Sequence, residues 1–316
     1  MVEQLWDGHL AGRKPETLES QCATGRDWFY LAVLSFVDGR DGAAAGYAAR
    51  AAALTPRSRV FAAAATYLTT MGKQGRQQVY TSPEGFAAFI RGGGNVSLYR
   101  ALSTALRERY RRHRPVSLLD IGVGDGLALL PALSGDVVGV DLVEPSAALL
   151  ESTSRSLTDR GFTHRLANTK VQALTDGVDA WPIETHWTIA EATFSLHNLT
   201  RDNRREVLTW LRGHVDRLLI AEFDLSPGTS CEPDWFDYVT TRYESGLAEY
   251  EGDGGLVAQG FLMPIMFGYF DPDTVHHEQS LSKWQRDLEA AGFTDLKQPE
   301  LLHDYWWAPG YLIDAA

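Results

Sequence analysis

Apolar residues from position 116 onward fall into short runs that are separated by polar turns and by segments with helical spacing. Runs of this length are typical of buried parallel strands, and the segments between them suit crossover helices. The alternation predicts an α/β fold with a mostly parallel sheet. The expected strands are residues 116–121, 137–144, 164–174 (best at 169–173), the first half of 187–199, 218–223, 294–302 and 305–313.

Three glycines follow the first expected strand in a tight Gly-x-Gly-x-Gly turn. They are Gly122, Gly124 and Gly126, and Asp120 precedes them near the strand end. A helix follows, and the second strand ends at Glu144. A strand–glycine loop–helix–strand unit with an acidic residue at the end of its second strand is typical of a site for a nucleoside-containing cofactor. An ordinary glycine turn is the structural alternative.

The spacing and charge of this turn indicate which cofactor it suits. A dinucleotide site needs its third glycine one residue later, where Leu127 stands. Asp120 and Asp125 would repel a pyrophosphate, but they suit a cofactor with a cationic centre and an ammonium group. These features favour S-adenosylmethionine (SAM) over NAD. The stretch 116–146 resembles motif I and the second-strand signature (Leu-Val-Glu-Pro-Ser) of class I SAM-dependent methyltransferases.

This resemblance implies a Rossmann-like, seven-stranded class I methyltransferase sheet with its seventh strand antiparallel beside the fifth. SAM would lie across residues 122–126, with its ribose hydroxyls on Glu144. Asp141, which stands earlier in the same strand, is the alternative ribose ligand. The edge of adenine is usually read just after the third strand, where Gln172 and Asp176 are the candidates.

A second glycine-rich turn lies upstream, in the segment Arg-Gly-Gly-Gly-Asn over residues 91–95. It follows an expected helix with Ser82 as N-cap and Pro83 at its first position. The free backbone N–H groups and the positive charge of Arg91 suit a carboxylate. We therefore expect Arg91 and Gly92 to bind the carboxylate of SAM, while a linker between two domains is the alternative.

The fourth expected strand leads into Phe194-Ser-Leu-His197-Asn-Leu, which resembles the exit loop of the class I methyltransferase fourth strand, often Phe-x-Leu-His-His-Leu. The carboxyl ends of parallel strands face the ligand crevice, so we expect Glu191 and Ala192 beside the cofactor. His197 is a candidate general base because its unperturbed pKa lies near neutrality. A purely structural hydrogen bond from His197 to the loop is the alternative.

Further candidate groups lie at the end of the fifth strand and beyond it. Glu222, the second predicted catalytic residue, and Asp224 could hold a substrate amine or hydroxyl, or could instead cap the following loop. His276 and His277 are additional candidate bases.

The expected domain organisation is a helical N-terminal cap domain over residues 1–78 and a SAM-binding domain over residues 79–316. Residues 225–280 are longer than a plain strand connection and are rich in aromatic residues. We expect this insertion to cover the substrate, because aromatic rings give large, rigid contact area. Packing on the N-terminal helices is a compatible alternative.

Composition narrows the class of protein. The net charge of −12 argues against a sequence-independent nucleic-acid binder, which needs a basic face. Cys22 and Cys231 match no metal or disulfide framework, so no metal site is expected. No signal peptide or membrane-length apolar run is present, which predicts a cytoplasmic protein. The N-terminal helices are a candidate homodimer surface.

The resemblance covers about residues 80–316 and predicts a SAM-dependent methyltransferase that acts on O, N or C of a small-molecule acceptor. More loosely, the helical preface and the segment Trp284-x-x-x-Leu-x-x-Ala-Gly-Phe resemble bacterial members of the GRAS group within that superfamily. The alternatives are a SAM-fold ligand-binding or interaction module without methyl transfer, and a SAM-dependent enzyme with another reaction.

Overall fold

The computed structural model describes residues 1–74, 82–175, 186–228, 230–272 and 277–316. These residues form two compact units, each built from two chain segments: residues 1–96 with 227–276, and residues 97–226 with 277–316. The α-helices are α1 Val2–Leu10, α2 Gly25–Val37, α3 Asp41–Leu54, α4 Arg59–Gln74, α5 Pro83–Ile90, α6 Asn95–Arg112, α7 Leu129–Ala132, α8 Ala147–Asp159, α9 Gln172–Thr175, α10 Arg201–Arg212, α11 Pro233–Ala248, α12 Met263–Gly268 and α13 Leu281–Ala291.

The second unit contains the sheet. Its strands are β1 Val116–Ile121, β2 Val137–Val143, β3 His164–Ala167, β4 Trp187–Thr193, β5 Val215–Phe223, β6 Glu300–His303 and β7 Gly310–Ala315. They lie in the order β3-β2-β1-β4-β5-β7-β6. The first five strands are parallel, and β7 is antiparallel to both of its neighbours. The predicted seven-stranded α/β sheet, with its seventh strand antiparallel beside the fifth, is confirmed.

Apolar side chains cover both faces of this sheet. One hydrophobic cluster joins β1, β4 and β5 to α10 and α13, and it includes the fully buried Trp284. The other joins β1, β2 and β5 to α6, α7 and α8. Because adjacent residues of a strand point to opposite faces, Leu118 and Leu119 of β1 fall in different clusters. This packing holds the carboxyl ends of β1, β2, β4 and β5 in one row.

Two predictions about this unit are wrong in detail. The third strand is β3, and the favoured stretch 169–173 lies after it and runs into the short helix α9. Asn168 ends the strand by donating its amide to the carbonyl oxygens of Glu144 and Pro145. The adjacent tryptophans Trp306 and Trp307 lie in the connection before β7 rather than within a strand.

The first unit is helical and includes residues 227–276. Helix α2 is buried along most of its length, and the aromatic rings of the insertion pack onto the N-terminal helices. Phe236 contacts Tyr30 with ring centroids 4.8 Å apart, and Phe267 contacts Phe36 at 4.9 Å. The insertion therefore shares a core with the N-terminal helices, and the predicted boundary at residue 78 falls within this unit's first segment.

Candidate functional site

The glycine loop after β1 has the backbone that its sequence predicts. Gly122, Gly124 and Gly126 all have positive φ, at 76°, 57° and 75°, a region that side chains with a Cβ rarely adopt. Gly122 is also needed for space, because a Cβ there would lie 2.5 Å from Cβ of Ser195. Ser195 Oγ donates a 2.6 Å hydrogen bond to the carbonyl oxygen of Ile121. The loop that leaves β4 is thereby fastened to the glycine loop.

Gly124 presents the open side of this loop. A Cβ at Gly124 would meet no heavy atom within 4 Å. Its carbonyl oxygen accepts a 3.0 Å hydrogen bond from Thr153 Oγ1 on α8. The hydrogen bond from Thr153 fixes the backbone of Gly124, and the space around its α-carbon is open, as close approach of a ligand to the backbone requires.

Glu144 bridges the glycine loop and the connection after β2. Its Oε2 accepts the N–H of Gly124 at 3.1 Å, and its Oε1 accepts the N–H of Ser146 at 2.8 Å. Each carboxylate oxygen has a second lone pair, so the group can still accept hydroxyl donors from a ligand. Glu144 thus lies beside the open glycine loop with acceptor capacity to spare.

Asp141 is engaged elsewhere. Arg165 Nε donates to it at 2.7 Å, and the indole N–H of Trp187 donates at 2.6 Å. Asp141 pairs with Arg165 of β3 in the strand register, one residue before the Leu142–Leu166 pair. The structure therefore favours Glu144 over Asp141 as the group that faces the loop.

Asp120 and Glu191 form a buried carboxyl pair beneath the loop. They are register partners on β1 and β4, with exposed fractions of 1% and 0%. Two carboxyl groups buried side by side on adjacent strands repel each other when both are charged, which favours a proton on one of them. Burial, together with the neighbouring Glu191 charge, raises the pKa of Asp120 well above its usual range. Burial raises the pKa of Glu191 to about 7, although the hydroxyl of Tyr110 donates to it and opposes that rise.

His197 and Glu222 form the second pair of predicted residues that the structure brings together. Glu222 Oε2 lies 2.9 Å from His197 Nδ1, and Glu222 Oε1 accepts the backbone N–H of His197 at 3.2 Å. Burial favours the neutral imidazole, but the adjacent Glu222 charge outweighs it and raises the pKa of His197 to about 9. The ring is 23% exposed. At neutral pH it is therefore a cation held by a carboxylate.

Asp224 serves the local fold, since its Oδ1 accepts the backbone N–H of Leu281 at 2.9 Å near the start of α13. Of the other candidate bases, His277 has its backbone carbonyl bonded to Arg204, and burial lowers the pKa of its ring. His276 lies outside the described residues.

The residues predicted at the adenine edge and at the end of β4 add little to the candidate site. Gln172 is the first residue of α9, and Asp176 lies outside the described residues. Ala192 has no exposed surface and belongs to a hydrophobic cluster of the sheet, so its side chain cannot reach a ligand.

In the first unit, the turn after α5 binds a carboxylate of the chain itself. Glu249 Oε2 accepts the N–H of Gly94 at 2.7 Å. A Cβ at Gly92 would lie 2.8 Å from a ring carbon of Tyr250, so this glycine is needed for packing. Arg91 is exposed, and its Nη1 donates to the carbonyl of Ala87. Binding of a cofactor carboxylate by Arg91 and Gly92 stays a prediction.

Sequence reasoning missed Tyr110 and Ser195. Tyr110 stands within an arginine-rich helix end, and its partner Glu191 is 81 positions away. Ser195 is an inconspicuous position in the β4 exit loop. The neighbouring Phe194, with a φ of 53°, marks the unusual backbone there, but no sequence pattern indicated it.

Within the described ranges, no group of His, Cys, Asp and Glu side chains could hold a metal ion. No helix in this part of the chain is both long and apolar enough to cross a membrane.

No protein-family model and no curated protein sequence matches this chain. Among solved structures, SCL7 in Oryza sativa is similar over 86% of this chain and 94% of its own, with a TM-score of 0.63 and 14% identity. The CMeT domain of the citrinin polyketide synthase is similar over 86% of this chain and 69% of its own, with a TM-score of 0.53 and 14% identity. At sequence identities this low, the similarity shows a shared fold and nothing more.

The sheet order, the antiparallel seventh strand and the glycine loop at the end of β1 agree with this likeness. The chain has the fold of the class I SAM-dependent methyltransferases.

Proposed function

We propose that this protein is a SAM-dependent methyltransferase that acts on a small-molecule acceptor. The observation that carries the proposal is the loop of Gly122, Gly124 and Gly126, with Glu144 bonded to it and open space in front of Gly124. In a site that had lost its function we would expect side chains to fill that space or the acidic residue to be replaced. Here the space at Gly124 is open and Glu144 is retained.

The chain's own residues suit the parts of SAM. The backbone of residues 122–126 would lie against the cofactor, Glu144 would accept the ribose hydroxyls, and Asp120 would attract the ammonium group. When bound, SAM supplies an electrophilic methyl group on a sulfonium. Catalysis would otherwise depend mainly on proximity and orientation of the acceptor.

His197 and Glu222 are proposed as the proton-transfer pair. In neutral His197 the Nδ1–H would donate to Glu222, which leaves Nε2 with a lone pair to accept a proton from the acceptor. Because Glu222 raises the pKa of His197 to about 9, little of the ring is neutral at pH 7. The pair therefore suits an acceptor with a weakly acidic O–H or N–H, whose proton leaves as the methyl group is transferred.

The remaining parts of the proposal concern partners and place. The net charge of −12 supports a small-molecule acceptor rather than nucleic acid. We propose a cytoplasmic protein that forms a homodimer through its N-terminal helices, where Leu10 and Leu54 are 65% and 53% exposed. Multi-angle light scattering on the purified chain tests the dimer, and a monomeric mass would exclude it.

Calorimetric titration with S-adenosylhomocysteine (SAH) tests the cofactor. We expect binding by the natural chain and its loss in Gly124→Asp, whose side chain would enter the open space. Gly161→Asp is the matched control, since Gly161 has a similar φ of 75° and equally open surroundings but lies at the end of α8. Failure of the natural chain to bind SAH would contradict the proposal. Binding without turnover of SAM on a broad acceptor panel would favour the non-methylating module.

A further inference from the structure

The surroundings of Asp120 and Glu191 cannot stabilise a negative charge on both of these buried carboxyl groups. Neither Asp120 Oδ1 nor Glu191 Oε1 receives a hydrogen bond from an N–H or O–H group of the described residues. Two buried carboxylates on adjacent strands repel each other strongly, so one of them retains a proton.

Tyr110 decides where that proton resides. Its hydroxyl donates to Glu191 Oε2 from helix α6. A hydrogen bond to the charged form favours charge on Glu191 and leaves the proton on Asp120. Glu144, at the end of β2, adds negative potential that further favours the neutral form of Asp120. The groups that face Asp120 from its neighbouring elements are thus Glu191, Glu144 and, through Glu191, Tyr110.

Asp120 also stands two residues before Gly122, where the proposed function places the cationic end of the cofactor. We propose that Glu191 and Tyr110 are positioning residues that keep Asp120 protonated until cofactor binds, so that binding of an amino-acid ammonium group expels this proton to solvent. The proposal rests on the proposed function. The O–H bond of the Asp120 carboxyl breaks, the proton passes to water, and the resulting carboxylate pairs with the ammonium group.

This arrangement has a consequence for affinity. Because a proton must leave when the ligand arrives, affinity for a ligand with an ammonium group rises with pH across the range in which the pair is protonated. A ligand without the ammonium group, such as adenosine, gives no such dependence.

Calorimetry with SAH tests the proposal through proton release. The titration is run at one pH near neutrality in phosphate and in Tris, whose ionisation heats differ, so that the difference in observed heat reports the protons released. We expect net release with SAH, none with adenosine, and SAH affinity that increases from about pH 6 to about pH 8. Glu191→Gln should reduce the release, because Asp120 loses the neighbouring charge that favours its protonated form, although its burial remains.

Tyr110→Phe provides a second, independent variant. Loss of the hydroxyl raises the pKa of the pair, so proton release should persist to higher pH and the rise in affinity should shift upward. Tyr30→Phe is the matched control, because Tyr30 is a buried tyrosine of the first unit whose hydroxyl donates to the carbonyl of Cys231. It should leave proton release unchanged.

The outcomes separate the two proposals. SAH binding without proton release in the natural chain overturns this inference and leaves the proposed function standing. Undiminished release in Glu191→Gln, or an unshifted pH dependence in Tyr110→Phe, also overturns it. If Glu191→Gln does not fold, Tyr110→Phe decides alone. Absence of SAH binding in the natural chain overturns the proposed function, and this inference with it.

Discussion

Ser195 lies so close to Gly122 that any side chain at position 122 would have to displace it. A Cβ built at position 122 would be 2.5 Å from Cβ of Ser195. Ser195 Oγ also donates to the carbonyl oxygen of Ile121, the residue just before Gly122. The end of β1 and the exit of β4 are therefore joined at the point where the proposed cofactor would lie.

This contact predicts that Gly122→Ala is much more damaging than an alanine at another glycine with the same backbone. Gly161 is the comparison, because its φ of 75° nearly equals the 76° of Gly122 while nothing lies within 4 Å of a Cβ there. Both variants bear the left-handed strain, but only Gly122→Ala must displace Ser195. Overpacking of this kind costs about 1–3 kcal/mol. Thermal unfolding midpoints check this, and equal midpoints would contradict the importance of the Ser195 contact.

Glu144 and Asp141 can be separated by their effects on SAH affinity. Glu144→Gln should lower the affinity roughly tenfold or more, because it weakens charge-assisted hydrogen bonds to the ribose and to the glycine loop. Asp141→Asn should lower stability, since it loses the ion pair with Arg165, while SAH affinity stays the same. Calorimetry gives both affinities, and the reverse pattern would assign the ribose to Asp141.

The charge state of His197 can be measured without knowing the acceptor. NMR titration of the ring, identified by its absence in His197→Gln, should give a pKa of about 9 in the natural chain. In Glu222→Gln the carboxylate that stabilises the cation is gone, and burial then disfavours it, so the pKa should fall to the ordinary value near 6.5 or below. An unchanged pKa in Glu222→Gln would show that another group holds the charge.

The same pair affects stability with a definite sign. Because the folded-state pKa of His197 is raised above its unfolded value, its contribution is fully present below about pH 6.5 and is lost as pH rises through about 9. The stability difference between the natural chain and Glu222→Gln should therefore shrink between those limits. Chemical denaturation at several pH values measures it, and a difference that grows over this interval would contradict the assignment.

The sheet and its glycine loop could be predicted because their signals are local. Val116–Ile121 is buried at every position except Ser117, and positive φ at alternating positions after it leaves few choices other than glycine. The edge strand β3 could not be found in the same way. Two of its four residues, His164 and Arg165, are polar, and only Ala167 is buried, so β3 lacks the apolar run that identifies a central strand.

The contacts that complete the site could not be predicted from the sequence, for a different reason. Tyr110 meets Glu191, and Glu222 meets His197, only because helices and strands far apart in sequence pack together. Likewise, the aromatic insertion carried no sign of its partner, since a ring that covers a substrate and a ring that packs on Phe36 look alike in sequence. Side-chain type predicted what these residues could do, and tertiary packing decided what they contact.

The position of β7 between β5 and β6 also bears on how the protein is made. During synthesis β5 leaves the ribosome well before β7, and its edge from Leu218 to Phe223 stays without its antiparallel partner until Gly310–Ala315 emerges. An unpaired apolar strand edge is a template for aggregation. The nascent chain is therefore prone to aggregation until β7 has emerged. A frameshift or truncation that removes only β7 would leave β5, a strand in the middle of the sheet, without a partner on one edge.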